Sequence, residues 1–141
     1  MDLLEKIKET FPCPNVDVRT YSPLALAFIG DGIYEVVVRT MIVAQANRSN
    51  TDLHKATVKY VKAENQSKMV EILKPHLTQE ECDVLRRGRN AKPHTVAKNA
   101  SLGEYHRATG LEALFGYLYL AGQTDRMLEL MKIGIEGLEQ A

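Results

Sequence analysis

The run Leu24-Ala25-Leu26-Ala27-Phe28-Ile29-Gly30-Asp31-Gly32-Ile33-Tyr34-Glu35-Val36-Val37-Val38 decides the fold. Ser22-Pro23 precedes it: a hydroxyl able to accept from a free backbone N–H, then a proline suited to the first helical position. No turn cluster follows until about Ala46. The β-branched residues from Ile33 to Val43 would suit a strand. Period-two alternation is not sustained, however, and Tyr34, Val38 and Met41 recur at helical spacing. The stretch predicts one long, nearly all-apolar helix. Gly30 and Gly32 lie inside it, where each costs about 1 kcal/mol relative to alanine. Such glycines point to the close approach of another backbone, or to a bend. Only Asp31 and Glu35 carry charge, and at four residues apart they share one face.

Working outward, Asp2 to Thr10 has Leu3, Leu4 and Ile7 at helical spacing and stops before Pro12 and Pro14, leaving Phe11 to Tyr21 as a linker. Thr51-Asp52 opens a block that runs to about Lys74 and ends at Pro75. Thr78-Gln79-Glu80-Glu81 and Ser101-Leu102-Gly103-Glu104 have the spacing of capping boxes, in which hydroxyl and carboxylate each satisfy the other residue's backbone N–H. Gly88 is the expected stop of the first of these helices, and 89–100, lacking apolar periodicity, the expected loop. The second helix reaches about Ala121, with Gly122 after it. Thr124 opens a last amphipathic helix carrying Met127, Leu128, Met131, Ile135 and Leu138 on one side. The expected fold is all-α, a bundle of five to seven helices. It is read as one domain over 1–141: an N-terminal helix and linker (1–21), a core (22–123) and a C-terminal helix (124–141).

The 141 residues are 45% hydrophobic and 26% charged, which is the size and balance of one globular domain with its own core. Lys plus Arg and Asp plus Glu both number 18, so the formal charge is zero. That excludes a uniformly cationic nucleic-acid binder and leaves room for a local basic surface. Cys13 and Cys82 carry no metal-ligand spacing and read as reduced thiols. The N-terminus lacks the pattern of a signal peptide, and the apolar runs 23–30 and 111–122 fall short of the ~20 residues that span a bilayer. A cytoplasmic protein without a membrane segment is expected.

Charge stands among apolar residues in one further place. In Leu111-Glu112-Ala113-Leu114-Phe115-Gly116-Tyr117-Leu118-Tyr119-Leu120 the lone charged residue is Glu112. Burying an unpaired carboxylate costs several kcal/mol, so each needs a cation, a hydrogen-bond network or water. Either the carboxylates point to solvent or pair with Arg or Lys, or the two apolar helices cross and bring Asp31 and Glu112 together. Gly30, Gly32 and Gly116 would permit that crossing. Two carboxylates at one point need a cation between them, and oxygen ligands select a hard ion, Mg²⁺ or Mn²⁺. From Val84 to Gly103 there is no acidic residue, and Arg86, Arg87, Arg89, Lys92 and Lys98 fall within that run. Such a run fits a phosphate backbone. Lys55, Lys59 and Lys62 form a second stripe, read as a solvated face. An acidic metal site with basic flanks suits phosphodiester hydrolysis.

Phe28-Ile29-Gly30-Asp31 resembles the core of the ribonuclease III signature, and Glu112-Ala113-Leu114-Phe115-Gly116-Tyr117-Leu118-Tyr119-Leu120 resembles that family's second acidic helix. Arg86-Arg87-Gly88-Arg89-Asn90-Ala91-Lys92 and Leu24-Ala25-Leu26-Ala27 are similar to its bacterial Mini-ribonuclease III branch. The similarity covers roughly Ser22 to Gln123. It implies an all-α endonuclease domain acting as a symmetric homodimer on double-stranded RNA and leaving 5′-phosphate ends. It also implies a role in maturing large-subunit (23S) ribosomal RNA by cutting a stem, with a large-subunit ribosomal protein as a possible partner. Asp31 matches the signature aspartate and Glu112 the glutamate of the second helix, the expected catalytic and Mg²⁺ ligands, with Mn²⁺ able to substitute. Two usual acids are missing, replaced by Ala27 and Thr109, which leaves the number of ions per site open. Glu35 is added as a ligand through water, with a structural salt bridge as its alternative. Phe28 and Ile29 are expected at the dimer seam, or else in the core. The alternative function is a non-catalytic ribonuclease III-like RNA-binding scaffold in ribosome assembly.

Overall fold

A computed structural model describes residues 2–91 and 101–140. All its regular elements are helical: α1 (Leu3–Thr10), α2 (Pro23–Gln45), α3 (Asn50–Val61), α4 (Ala63–Leu73), α5 (Gln79–Asn90), α6 (Leu102–Leu120) and α7 (Thr124–Gln140). Local chemistry sets most of their ends. Ser22 Oγ accepts from the Ala25 N–H at 3.2 Å, opening α2 with Pro23 in its first turn. Both expected capping boxes are formed, Thr78 with Glu81 and Ser101 with Glu104. Gly122, at φ 75°, takes the left-handed turn that closes α6, and the Gln123 N–H reaches back to the Leu118 carbonyl at 2.8 Å.

α6 is the axis of the molecule. Ala108 through Tyr119 are buried except for Glu112, which is half-buried. A helix apolar on all sides must be wrapped; α2, α5 and α4 pack directly on it, α2 most extensively, and α7 closes over α4. The α2–α6 crossing is backbone against backbone. A Cβ on Gly30 would stand 1.7 Å from the Glu112 carbonyl oxygen, and one on Gly116 would stand 1.9 Å from that of Leu26. Near α5 and α7, Arg126 ties the α5 cap down. Its guanidinium donates to the Glu81 carboxylate at 2.8 and 2.9 Å and to the His76 carbonyl at 2.7 Å.

Four expectations are corrected. The linker from Phe11 to Tyr21 contains a short 3₁₀ turn, Val18–Thr20, capped by Asp17. The block from Thr51 to Lys74 is two helices, because Lys62 turns extended between them and Asn65 bonds the Lys59 carbonyl at 2.6 Å. Lys62 therefore leaves the stripe begun by Lys55 and Lys59. Gly88 does not stop α5: it lies within the helix, where its missing side chain admits Ala113 and Gly110 of α6. Helix α5 thus carries Arg89 and Asn90, which the loop was expected to hold. Finally, Gly32 faces open space and takes no part in the crossing.

Candidate active site

The crossing at Gly30 sets the carboxylates. Asp31 follows that glycine on α2 and is exposed; Glu112, whose carbonyl lies over Gly30, projects from α6 and is half-buried. The two side chains leave the crossing close enough for the Asp31 carboxyl to act on that of Glu112. Burial pushes the Glu112 carboxyl up to about 9, and the neighbouring Asp31 adds to the rise through charge and shared proton. Gln66, buried on α4, opposes that rise through a side-chain hydrogen bond that favours the ionised form. Two acids at one point repel when both are ionised. A shared proton or a bound hard cation offsets that repulsion.

The neighbouring positions add no acid. Ala27 is buried one turn before Asp31. Thr109 is buried one turn before Glu112, and its hydroxyl donates to the Tyr105 carbonyl at 3.0 Å, inside its own helix. Glu35 is half-buried and ion-paired with Arg39 at 3.4 Å along α2, while its charge still reaches Glu112. Among the described residues no three histidine, cysteine or acidic side chains group around one point. Mg²⁺ fits the pair that does form, because it keeps several waters and commonly takes only one or two protein carboxylates, completing its shell with substrate phosphate oxygens.

The basic residues divide. Arg86 and Arg87 are exposed on α5, and Arg86 pairs with Asp83 at 3.3 Å. Arg89 is half-buried at the helix end, where it lines an open cleft with Asn90, Gly103, His106 and Arg107. All three arginines are thus presented by one helix, Arg89 among them where the loop was expected. Lys92 and Lys98 lie outside the described residues. Of the two residues expected at a dimer seam, Phe28 is 83% exposed, whereas Ile29 is half-buried and turns its Cγ2 toward Gly116. Sequence reasoning missed Gln66 and Arg107. Gln66 had a signal: it precedes Met69 and Val70 by three and four residues and so lies on the buried face of α4. Arg107, two residues after Tyr105 on a mixed surface, had none.

The ribonuclease III domain model matches residues 24–123, the span that holds both acidic helices. The Mini-ribonuclease 3 of Thermoanaerobacter sp. is 47% identical over 123 residues, covering 87% of both chains. That of Clostridium tetani is 42% identical over 126 residues, 89% of this chain and 83% of the relative. The crystal structure of protein FN1578 from Fusobacterium nucleatum superposes with a TM-score of 0.78 at 32% identity, covering 87% of this chain and 98% of that one.

Proposed function

The chain belongs to the ribonuclease III family and is an endoribonuclease, and we propose that it cuts double-stranded RNA with a divalent ion held between Asp31 and Glu112. The observation that carries this reading is the meeting of those two carboxyl groups at the α2–α6 crossing. A binding scaffold has no need of such a pair, which its own burial and repulsion destabilise. Mg²⁺ is the proposed ion, with Mn²⁺ able to replace it; when bound, it supplies Lewis acidity and a hard positive charge for the negative charge developing on the phosphate. Gln66 favours the ionised form of the Glu112 carboxyl. Glu35, turned toward Arg39, reaches the ion only through water. Arg86, Arg87 and Arg89 hold the strand by its phosphates from one side of α5, and Lys92 and Lys98 extend that contact. The products carry 5′-phosphate ends.

We propose further that two copies act together, joined through Phe28 and the outer edge of Ile29, so that each copy's acids cut one strand. Duplex RNA is read mainly by shape and 2′-hydroxyls, which suits a rigid arginine-bearing helix with no base-reading device. The proposed substrate is the stem that flanks large-subunit ribosomal RNA, cut in the cytoplasm where that precursor is made.

The test is direct. Wild type, Asp31→Asn and Glu112→Gln are incubated with a long RNA duplex and Mg²⁺. Wild type should cut. Both variants should lose cutting by about 10²-fold or more while still shifting the duplex in a gel. Wild-type cleavage rates in either variant would remove the proposed ion site.

A further inference from the structure

The cleft lined by Arg89, Asn90, Gly103, His106 and Arg107 lies between the last turn of α5 and the first turns of α6, apart from the carboxylate pair. Its volume is about 500 Å³. Two of its five lining residues are arginines and a third is a histidine. Arg107 is held in place: its Nε donates to Ser67 Oγ at 2.5 Å. Its terminal nitrogens pass 3.4 and 3.7 Å from where a Cβ on Gly103 would stand, so that glycine leaves the guanidinium room along the first turn. Among the described residues neither Arg89 nor Arg107 makes a salt bridge. The acid whose charge Arg107 feels is Glu104, and that carboxylate is engaged by the Ser101 N–H at 3.1 Å. His106 is half-buried beside these arginines, and among the described residues its Nδ1 has no hydrogen-bond partner.

We propose that this cleft binds a phosphodiester group of the RNA, held by the guanidinium forks of Arg89 and Arg107 and by the His106 imidazole. Planar forks suit phosphate oxygens better than flexible ammonium groups do. The position also couples the cleft to the cut. Ser67, which fixes Arg107, is the chain neighbour of Gln66, which contacts Glu112. One step of α4 thus places both the strand-holding arginine and the active-site acid, so a phosphate seated here sets the register of the scissile one.

This rests on the reading that the substrate is duplex RNA, and the two are separated by using different assays. Binding of a labelled RNA duplex is measured in chelator across a KCl series, with wild type, Arg107→Gln, His106→Gln, the double variant and Arg107→Lys. The double variant should bind at least about tenfold more weakly and lose about one unit of slope in log affinity against log salt. Arg107→Lys, which keeps the charge without the fork, should restore the slope and only part of the affinity. If Arg107→Gln unfolds for want of its bond to Ser67, His106→Gln still decides, because among the described residues the His106 Nδ1 makes no hydrogen bond that the fold would lose; a loss of about threefold or more is expected. Wild-type affinity and a parallel salt slope in the double variant, or in His106→Gln where the double variant is unfolded, overturn the cleft. Failure of wild type to cut duplex RNA in Mg²⁺ overturns the RNA reading itself, in an assay independent of these variants.

Discussion

A carboxylate at a helix crossing is costly, and Glu112 shows where the cost goes. Its burial and its proximity to Asp31 both oppose ionisation, while only Gln66 assists it. Replacing Glu112 by glutamine keeps the shape and removes the repulsion. In chelator at neutral pH, Glu112→Gln should therefore be more stable than wild type by about 1–2 kcal/mol, a rise in Tm on the order of 5 °C. Adding Mg²⁺ should raise the Tm of wild type and leave that of Glu112→Gln nearly unmoved, because binding to the native state alone adds stability. Differential scanning calorimetry of both proteins with and without Mg²⁺ checks this without reference to catalysis. A wild type already as stable as the variant in chelator, and indifferent to Mg²⁺, would mean that the pair is not an ion site. Glu81 is the opposite case. The Arg126 guanidinium, followed by the Thr78 N–H, holds its carboxyl below the usual range. A depressed pKa contributes stability that is present above the unfolded value and is lost as pH falls through the folded one. Arg126→Ala should cost on the order of 2–3 kcal/mol at pH 7 by leaving a buried acid without its cation. In urea titrations that gap should narrow as the pH is lowered below the ordinary glutamate range. A gap of constant size down to pH 3 would assign the loss to packing instead.

Between elements, the α2–α6 contact depends on two hydrogen atoms where side chains would otherwise stand. Gly30→Ala puts a methyl on the Glu112 carbonyl, so the helices must separate; a loss of more than about 3 kcal/mol, or failure to fold, is expected. Gly32→Ala meets nothing within 4 Å and should stabilise the helix by about 0.5–1 kcal/mol. Chemical denaturation of the two variants checks the contrast, and equal effects would sink it. The pair also shows what the sequence could and could not reveal. Residues two apart lie about 200° around a helix, so one glycine faces α6 and the other faces away. Nothing within α2 says which. The same holds for Gly88, which reads as a helix stop because its true reason, the passage of Ala113 and Gly110, lies on another helix. Caps were legible because their bonds close within three residues: Ser22, Thr78 and Ser101 needed only their own neighbours. The acid pair was legible for a different reason. Acids isolated in two apolar helices, Asp31 and Glu35 in one and Glu112 in the other, draw attention to themselves, and the Gly30 contact brings the two helices together beside Asp31 and Glu112. Gln66 and Arg107 escaped because their partners, Glu112 and Ser67, are distant in sequence and neither side chain breaks an apolar run.

Among the apolar side chains that the described residues leave on the surface, those of α2 lie on the helix that carries Asp31. Phe28 is 83% and Val36 53% exposed on α2, and Gly32 lies open between them, at spacings of four that make a single stripe. Burying an aromatic and a branched side chain is worth roughly 1.5–3 kcal/mol each. In a symmetric pair every such contact is made twice, because the same patch serves both partners. A duplex has two strands and each copy has one acid pair, so cutting both strands in one encounter requires the pair of copies proposed above. Phe28→Asp should therefore give a monomer by light scattering at concentrations where wild type is a dimer. Its helical content should be retained, since Phe28 lies outside the core of its own chain. Cleavage of a long duplex should fall by about tenfold or more, with nicked products gaining over double cuts, because two strands then require two independent encounters. An unchanged mass for Phe28→Asp would move the seam off this stripe. A monomer that still cuts both strands at the wild-type rate would dissolve the link between pairing and chemistry.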